Sequence, residues 1–168
     1  MEFFETVQGR RSTREFSDEE VADEDLMKMI DAGRRAPSGK NTQPLEYILI
    51  QDKEMLAKLD QVQKVFGGSA ATIAIVADPE ASRFWLEDAS ASAAQMLLAA
   101  HALGLASVWI EGTLQSKEEM AKELLGVPAG KRLAIMLPVG KAAAPREPKE
   151  KKPLDELVHR ERYGQKQV

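Results

Sequence analysis

Cysteine is absent from this chain of 168 residues and histidine occurs only twice, so several kinds of side-chain chemistry are excluded. Without cysteine there can be no disulfide, no thiol nucleophile, no iron–sulfur cluster and no thiolate zinc site. The two histidines, His101 and His159, lie far apart in the sequence, and neither belongs to an HExxH motif. A zinc site of the common kinds is therefore not expected.

An excess of basic residues is lacking as well. Lysine and arginine together number 23 against 27 aspartates and glutamates, which gives a formal net charge of −4. Proteins that bind nucleic acid are usually basic, and those that bind single strands place aromatic side chains between the cations. The acidic balance and the aromatic content of only 5% disfavour this class.

No apolar run is long enough to suggest a membrane span. The longest one, Ala89 to Leu105, is interrupted by Gln95, His101 and serines, and it predicts a buried helix. The first five residues are acidic and short, unlike a secretory signal peptide. We therefore expect a cytoplasmic protein with a single domain that spans residues 1–168.

Apolar periodicity and turn residues divide the chain into alternating helices and strands. Helices are predicted over 2–9, 23–35, 53–66 and 83–103, and from a Ser116–Glu119 capping box to Leu125. Strands are predicted over 45–50, 71–76, 106–110 and 132–139, and a tail over 141–168 ends in an amphipathic segment, 154–163. On its own, such alternation suggests a doubly wound parallel sheet. However, no GxGxxG or GxxxxGK(S/T) motif follows a strand, so the phosphate loops usual in such sheets are missing.

Three arginines fall within five residues in the stretch Arg10-Arg11-Ser12-Thr13-Arg14. A guanidinium is always charged and presents five donors in a planar fork. Three forks at this spacing suit an anion with several oxygens, such as a phosphate. An isolated cluster of this kind is more often a solvated basic surface, and the rest of the chain has to decide between the two interpretations.

A second polar segment, Ala36-Pro37-Ser38-Gly39-Lys40-Asn41-Thr42-Gln43-Pro44, connects a predicted helix to a predicted strand. Two prolines restrict its backbone, one glycine permits unusual dihedral angles, and four side chains can form hydrogen bonds. A simple connection needs far fewer donors and acceptors, which favours a role in binding.

Five stretches match one sequence pattern in the same order along the chain. Arg10–Phe16 resembles RRSxRxF, Ala36–Pro44 resembles APSxxNxQP, and Ala94–Leu105 resembles AAQNLLLAAxxLGL. Gly126–Pro128 and Pro138–Gly140 resemble the GxP and xxGxP that precede the tail. Together these motifs resemble the nitroreductase family of FMN-dependent oxidoreductases, and they cover nearly the whole chain.

The resemblance implies a nitroreductase-like α+β fold, with a mostly antiparallel central sheet flanked by helices. It also implies an intertwined homodimer that holds one FMN at each of two interface sites, with the tail 141–168 against the partner subunit. This expectation replaces the parallel sheet that the alternation of elements suggests.

Residue by residue, the resemblance implies thirteen positions at the cofactor. Arg10 would lie towards the pyrimidine edge of the flavin, Arg14 and Arg11 near the phosphate, and Ser12 beside them. From the other subunit, Pro37, Ser38, Gly39 and Asn41 would contact the ring, with Gln43 of the same loop among the binding residues. Glu111 and Gly112 match the strand-end pair that faces the reactive N5, and Lys149 and Lys151 of the tail match basic residues on the phosphate.

The activity implied by the resemblance is the reduction of a nitroaromatic, a quinone or a similar small acceptor with NAD(P)H, by two hydride transfers in turn. No nucleophile, metal or acid–base pair is needed, and none is evident in the sequence. One alternative is a carrier or sensor that binds FMN without efficient turnover of NAD(P)H. A second is a module that binds a small anion or nucleic acid through the arginine cluster, which the acidic net charge disfavours.

Overall fold

The computed structural model describes residues 2–166, and the sequence periodicity accounts for most of its elements. The helices are α1 (Phe3–Gly9), α2 (Asp23–Arg34), α3 (Lys53–Leu59), α4 (Trp85–Ala102), α5 (Gly112–Gln115), α6 (Glu118–Leu125) and α7 (Leu154–Leu157). The strands are β1 (Leu45–Ile50), β2 (Ala71–Ala77), β3 (Ala106–Ser107) and β4 (Arg132–Gly140), and a short 3₁₀ turn occupies Gly39–Asn41.

The four strands form one sheet in the order β1-β2-β4-β3, and every neighbouring pair is antiparallel. Leu45 lies opposite Ala77, and Ala71 lies opposite Val139. The parallel sheet suggested by alternation alone is wrong, and the antiparallel sheet implied by the family resemblance is confirmed. Alternation does not determine strand direction, because a helical connection can return the chain either parallel or antiparallel to the strand that it leaves.

Helices cover both faces of the sheet, and the two central strands are buried. Along β2, Ile73 and Ile75 point to the core beneath α2 and α4, while Ala74 and Val76 point to the opposite core beneath α3 and α6. This alternation is the period of two expected of a strand. Because both faces are apolar, β2 is a nearly continuous apolar run, as the sequence predicts.

The small residues of α4 allow it to lie close to its neighbours. A Cβ atom added to Gly33 of α2 would come within 2.2 Å of Met96 Cε and 2.9 Å of Ser92 Oγ. Ala89, Ala93 and other small side chains of α4 are buried in the same core. The buried helix predicted from this apolar run is therefore confirmed, and it packs in the chain's own core.

Two predicted elements are shorter than expected. The helix predicted over 53–66 ends at Leu59, and the following residues form turns around Asp60, whose Oδ1 accepts hydrogen bonds from the Val65 and Gly67 N–H groups. Apolar spacing does not reveal this end, because Phe66 is buried by the turns just as it would be by a helix. An aspartate that bonds to nearby backbone competes with helix continuation. The strand predicted over 106–110 pairs only at 106–107, with an isolated bridge from Ile110 to Met136.

The predicted Ser116–Glu119 capping box is wrong. The helix α6 begins at Glu118, and the Ser116 hydroxyl donates to the Thr113 carbonyl at 2.9 Å. Ser116 ends the short helix α5, and Lys117 takes the N-cap position of α6 instead.

The tail runs over the surface from Lys141. Its short helix α7 exposes the apolar side chain of Leu154, which is 75% exposed, and Tyr163 beyond the helix is 93% exposed. Between residues 2 and 166, no helix combines the length and the apolarity needed to cross a membrane.

Candidate functional site

Strand pairing at the sheet edge holds the arginine stretch. Ser12 forms a parallel bridge with Ser107 of β3, and the Thr13 N–H donates to the Ser107 carbonyl at 3.0 Å. Phe16 pairs with Ala142, just after β4. Thr13 is buried, whereas Ser12 and Arg14 on either side of it are exposed, as the two-residue period of extended backbone requires. The backbone thus directs Ser12 and Arg14 away from the core.

A cavity of about 700 Å³ opens beside this stretch, and we call it the arginine cavity. Six of the thirteen predicted site residues line it, although they come from opposite ends of the chain: Arg10, Arg11, Ser12, Arg14, Lys149 and Lys151. Val7, Gln8, Arg146, Glu147 and Pro148 complete the lining. Six cationic side chains therefore face one carboxylate, a charge balance that suits an anion such as a phosphate.

Arg146 is a lining residue that the sequence did not point to. It lies in a part of the tail with loose motif spacing, and its Nη2 is 3.6 Å from the Glu15 carboxylate, next to the arginine stretch. The Arg14 side chain, by contrast, is exposed in the single chain, so it is a rim residue of the arginine cavity.

The Arg11 side chain is partly buried and bonds to nearby backbone. Its Nη1 donates to the carbonyls of Gln8 and Arg10, at 2.5 and 2.9 Å, and so holds the end of α1. Its Nε is buried and has no hydrogen-bond partner within residues 2–166. A buried donor without a partner is costly, and an anion oxygen is the kind of acceptor that would satisfy it. The residues present therefore fit a phosphate-bearing ligand.

A second cavity of about 290 Å³ adjoins the first and shares Arg10, Arg11 and Arg146 with it. His101 lies in its wall and is partly exposed, although it belongs to the largely apolar helix α4. Burial, followed by the positive charges of Arg11 and Arg10, lowers the pKa of His101 below its ordinary value of 6.5. The neutral imidazole is accordingly favoured at neutral pH.

The loop Ala36–Pro44 has an unusual backbone. Lys40, Asn41 and Gln43 all have positive φ angles, of 54°, 56° and 51°. Non-glycine residues rarely adopt this conformation, and it persists only where the surroundings enforce it. Within the loop, the Gln43 N–H donates to Ser38 Oγ at 3.1 Å, and the Thr42 hydroxyl donates to the Gly39 carbonyl at 3.0 Å.

One enforcing contact comes from Asp88 of α4. Its Oδ1 accepts a hydrogen bond from the Gly39 N–H at 2.8 Å, and its Oδ2 accepts one from the Ser82 hydroxyl at 3.0 Å. Asp88 is only 4% exposed, so its carboxylate is buried and not solvated. In the sequence it is merely an acidic residue in the first turn of a helix, and its partner lies 49 positions away.

The remaining predicted residues do not line the arginine cavity. The loop that contains Pro37, Ser38, Gly39, Asn41 and Gln43 is joined instead to the first turn of α4, by the hydrogen bond from the Gly39 N–H to Asp88. Glu111 and Gly112 follow the Ile110–Met136 bridge at the start of α5, where Glu111 accepts a hydrogen bond from Gln115 Nε2. Within residues 2–166 no group of three or more acidic or histidine side chains could hold a metal ion.

Comparison with known proteins assigns the chain to a family. The model of the nitroreductase family matches residues 7–65 and 61–141. A protein of Archaeoglobus fulgidus, provisionally named NADH dehydrogenase/NAD(P)H nitroreductase, is 38% identical over 136 residues, which are 76% of this chain and 78% of the relative.

Solved structures agree with the sequence comparison. A Parabacteroides distasonis protein with the same provisional name has a TM-score of 0.90 at 27% identity, over 96% of this chain and 98% of its own. An FMN-dependent nitroreductase from Clostridium difficile has a TM-score of 0.87 at 30% identity, over 95% of this chain and 99% of its own. The fold and the sequence lead to the same assignment, and the chain belongs to the nitroreductase family.

Proposed function

We propose that this protein is a flavin-dependent NAD(P)H oxidoreductase with FMN as its cofactor. The observation that carries the proposal is the arginine cavity, where six cations from the two ends of the chain meet around one space. Its volume is within the range of about 300–1,000 Å³ that is usual for small-molecule sites. Family membership and the FMN-dependent relative from Clostridium difficile support the choice of cofactor.

Different residues of the arginine cavity would bind different parts of the FMN. Arg14, Lys149 and Lys151 would hold the phosphate, because exposed cations at the rim can form charge-assisted hydrogen bonds with a dianion. Arg10 would place a fixed positive charge at the pyrimidine edge, where it stabilises negative charge. When bound, a flavin accepts a hydride from a reduced nicotinamide and passes it to a second substrate. The protein itself then has to bind the flavin and its substrates, orient them and exclude water from the site.

We infer that the site is completed by a second copy of the chain. In one chain, the loop Ala36–Pro44 does not line the arginine cavity, although its residues are predicted to contact the same ligand. Apolar side chains at both ends of the chain are exposed, among them Phe4 at 75% and Leu154 at 75%. An intertwined homodimer would cover such side chains and bring the loop of one subunit to the cavity of the other.

The donor and the acceptor would use the same site in turn. NADH or NADPH would bind first, and a nitroaromatic, a quinone or a similar small molecule would follow after the oxidised nicotinamide leaves. The provisional name of the Archaeoglobus relative supports this pair of substrates. The cytoplasmic location stays a prediction from the sequence.

The absorption spectrum of the purified protein tests the proposal. We expect flavin bands, either as purified or after addition of FMN, that bleach when NADH or NADPH is added without oxygen and return when a quinone is added. A bound flavin that stays oxidised would favour the carrier or sensor alternative. A protein that does not bind FMN at all would contradict the proposed function.

A further inference from the structure

We propose that Asp88 is a positioning residue that shapes the loop Ser38–Gln43 for contact with the flavin. This inference rests on the proposed function, since the flavin is the ligand that the loop would contact. Its structural basis is independent of any ligand, however: a buried carboxylate on α4 accepts a backbone hydrogen bond from Gly39 across 49 positions of sequence.

Each oxygen of the Asp88 carboxylate accepts a hydrogen bond from a neutral donor. Its Oδ1 accepts from the Gly39 N–H at 2.8 Å and its Oδ2 from the Ser82 hydroxyl at 3.0 Å. The Ser82 Oγ in turn accepts from the Phe84 N–H at 3.1 Å, and Ser82 is 5% exposed. Among the described residues, no lysine, arginine or histidine forms a salt bridge with this carboxylate, so its oxygens are directed at the loop and at Ser82.

The ring of Phe84 packs against the same glycine. A Cβ atom added to Gly39 would come within 2.6 Å of Phe84 Cδ2, so the Phe84 ring lies directly against the Gly39 backbone. The glycine is therefore held between the carboxylate of Asp88 and the ring of Phe84. Only a residue without a side chain fits this space.

The held glycine precedes the unfavourable part of the backbone. Lys40, Asn41 and Gln43 have positive φ angles, and such residues persist only where surrounding contacts over-determine them. The Asn41 N–H donates to the Ser38 carbonyl and the Gln43 N–H donates to Ser38 Oγ, so the turn closes on the residue before Gly39. A charge-assisted hydrogen bond at Gly39 is the long-range anchor of this turn.

The test compares three variants with wild-type protein at a temperature well below unfolding. Asp88→Ala should raise the dissociation constant of FMN about tenfold or more. Asp88→Asn keeps an acceptor for the Gly39 N–H and should recover most of the affinity. Glu87→Ala removes the neighbouring, exposed carboxylate from the same first helical turn and should leave FMN affinity unchanged. It is the control for the loss of a negative charge near the positive end of the helix dipole.

Amide hydrogen exchange of residues 38–43 in the flavin-free protein is the second readout. We expect faster exchange in Asp88→Ala and unchanged exchange in Glu87→Ala. Ser82→Ala leaves the Asp88 carboxylate in place and should exchange at an intermediate rate. This third variant still tests the proposal if Asp88→Ala does not fold.

Unchanged exchange in Asp88→Ala would overturn the proposal. A lower melting temperature with unchanged FMN affinity would also overturn it, since Asp88 would then serve stability alone. A wild-type protein without affinity for FMN would contradict the proposed function, and the exchange of residues 38–43 would still decide whether Asp88 holds the turn.

Discussion

Replacing Arg14 with alanine should weaken the binding of FMN but not the binding of riboflavin, which lacks the phosphate. Arg14 lies on the rim of the arginine cavity and is exposed in the single chain. A hydrogen bond to a charged group contributes about 1.5–3 kcal/mol, and exposure together with the neighbouring cations brings the estimate to the lower end. About 1.4 kcal/mol corresponds to a tenfold change in the dissociation constant. We therefore expect a loss of about tenfold for FMN.

Quenching of flavin fluorescence measures both affinities in the same protein preparation. The ratio of the riboflavin and FMN dissociation constants isolates the phosphate, because the two ligands share the ring and the ribityl chain. This ratio should be about tenfold lower in Arg14→Ala than in the wild-type protein. The difference between the two proteins should shrink at high salt, because salt screens exposed charges.

Lys28→Ala is the matched control for this experiment. Lys28 is an exposed cation of α2 that pairs with Glu24 and Asp25, so its removal changes the net charge by the same amount away from the cavity. Equal losses of FMN and riboflavin affinity in Arg14→Ala would refute the phosphate assignment. A loss of FMN affinity in Lys28→Ala as large as in Arg14→Ala would refute it as well.

Three further variants test the loop, an ion pair and the tail. Gly39→Ala should lower FMN affinity more than tenfold, because the new Cβ would meet the Phe84 ring at 2.6 Å, and a titration of FMN would measure this. Glu118→Gln should lower the free energy of unfolding at pH 7 by about 1–2 kcal/mol, measured in urea, with a deficit that narrows as the pH falls below about 4.5. Deletion of residues 153–168 should shift the protein from dimer to monomer in sedimentation velocity, because it removes exposed apolar side chains of the tail while Lys151 remains.

The sign of the Glu118 prediction follows from its surroundings. Burial alone would raise its pKa, but hydrogen bonds from Arg132 and from the Leu133 N–H outweigh burial and hold the pKa below its ordinary value of 4.5. A carboxylate with a lowered pKa stabilises the folded state above its unfolded pKa, and this stability is lost as the pH falls through the folded pKa. A deficit that stays constant down to pH 3 would contradict the role of the charge.

Each of the other two variants has its own control. Gly68→Ala adds a Cβ where no atom lies within 4 Å, and it should leave FMN affinity unchanged. Gly39→Ala combined with Phe84→Ala should recover part of the lost affinity, since the ring atoms that the new Cβ meets are gone. For the tail, a truncated protein that remains a dimer at every concentration would exclude residues 153–168 as the main subunit contact.

Elements with a distinctive local composition were predictable from the sequence. The structure confirms the burial predicted for three of them: one face of α2, the small residues of α4 and both faces of β2. The motif resemblance also predicted the family and, through it, the antiparallel sheet. These features depend on local composition or on order along the chain, which a sequence displays directly.

The long-range contacts were decided by tertiary structure alone. The bond from Asp88 to Gly39 and the meeting of Arg146 with the arginine stretch both join residues that are far apart in the chain. A buried carboxylate and a solvated one look the same in a sequence, because burial is a property of what packs around a side chain. The thirteen predicted site residues therefore came from motif order, whereas the six that meet at one cavity could be identified only after folding had brought the two ends of the chain together.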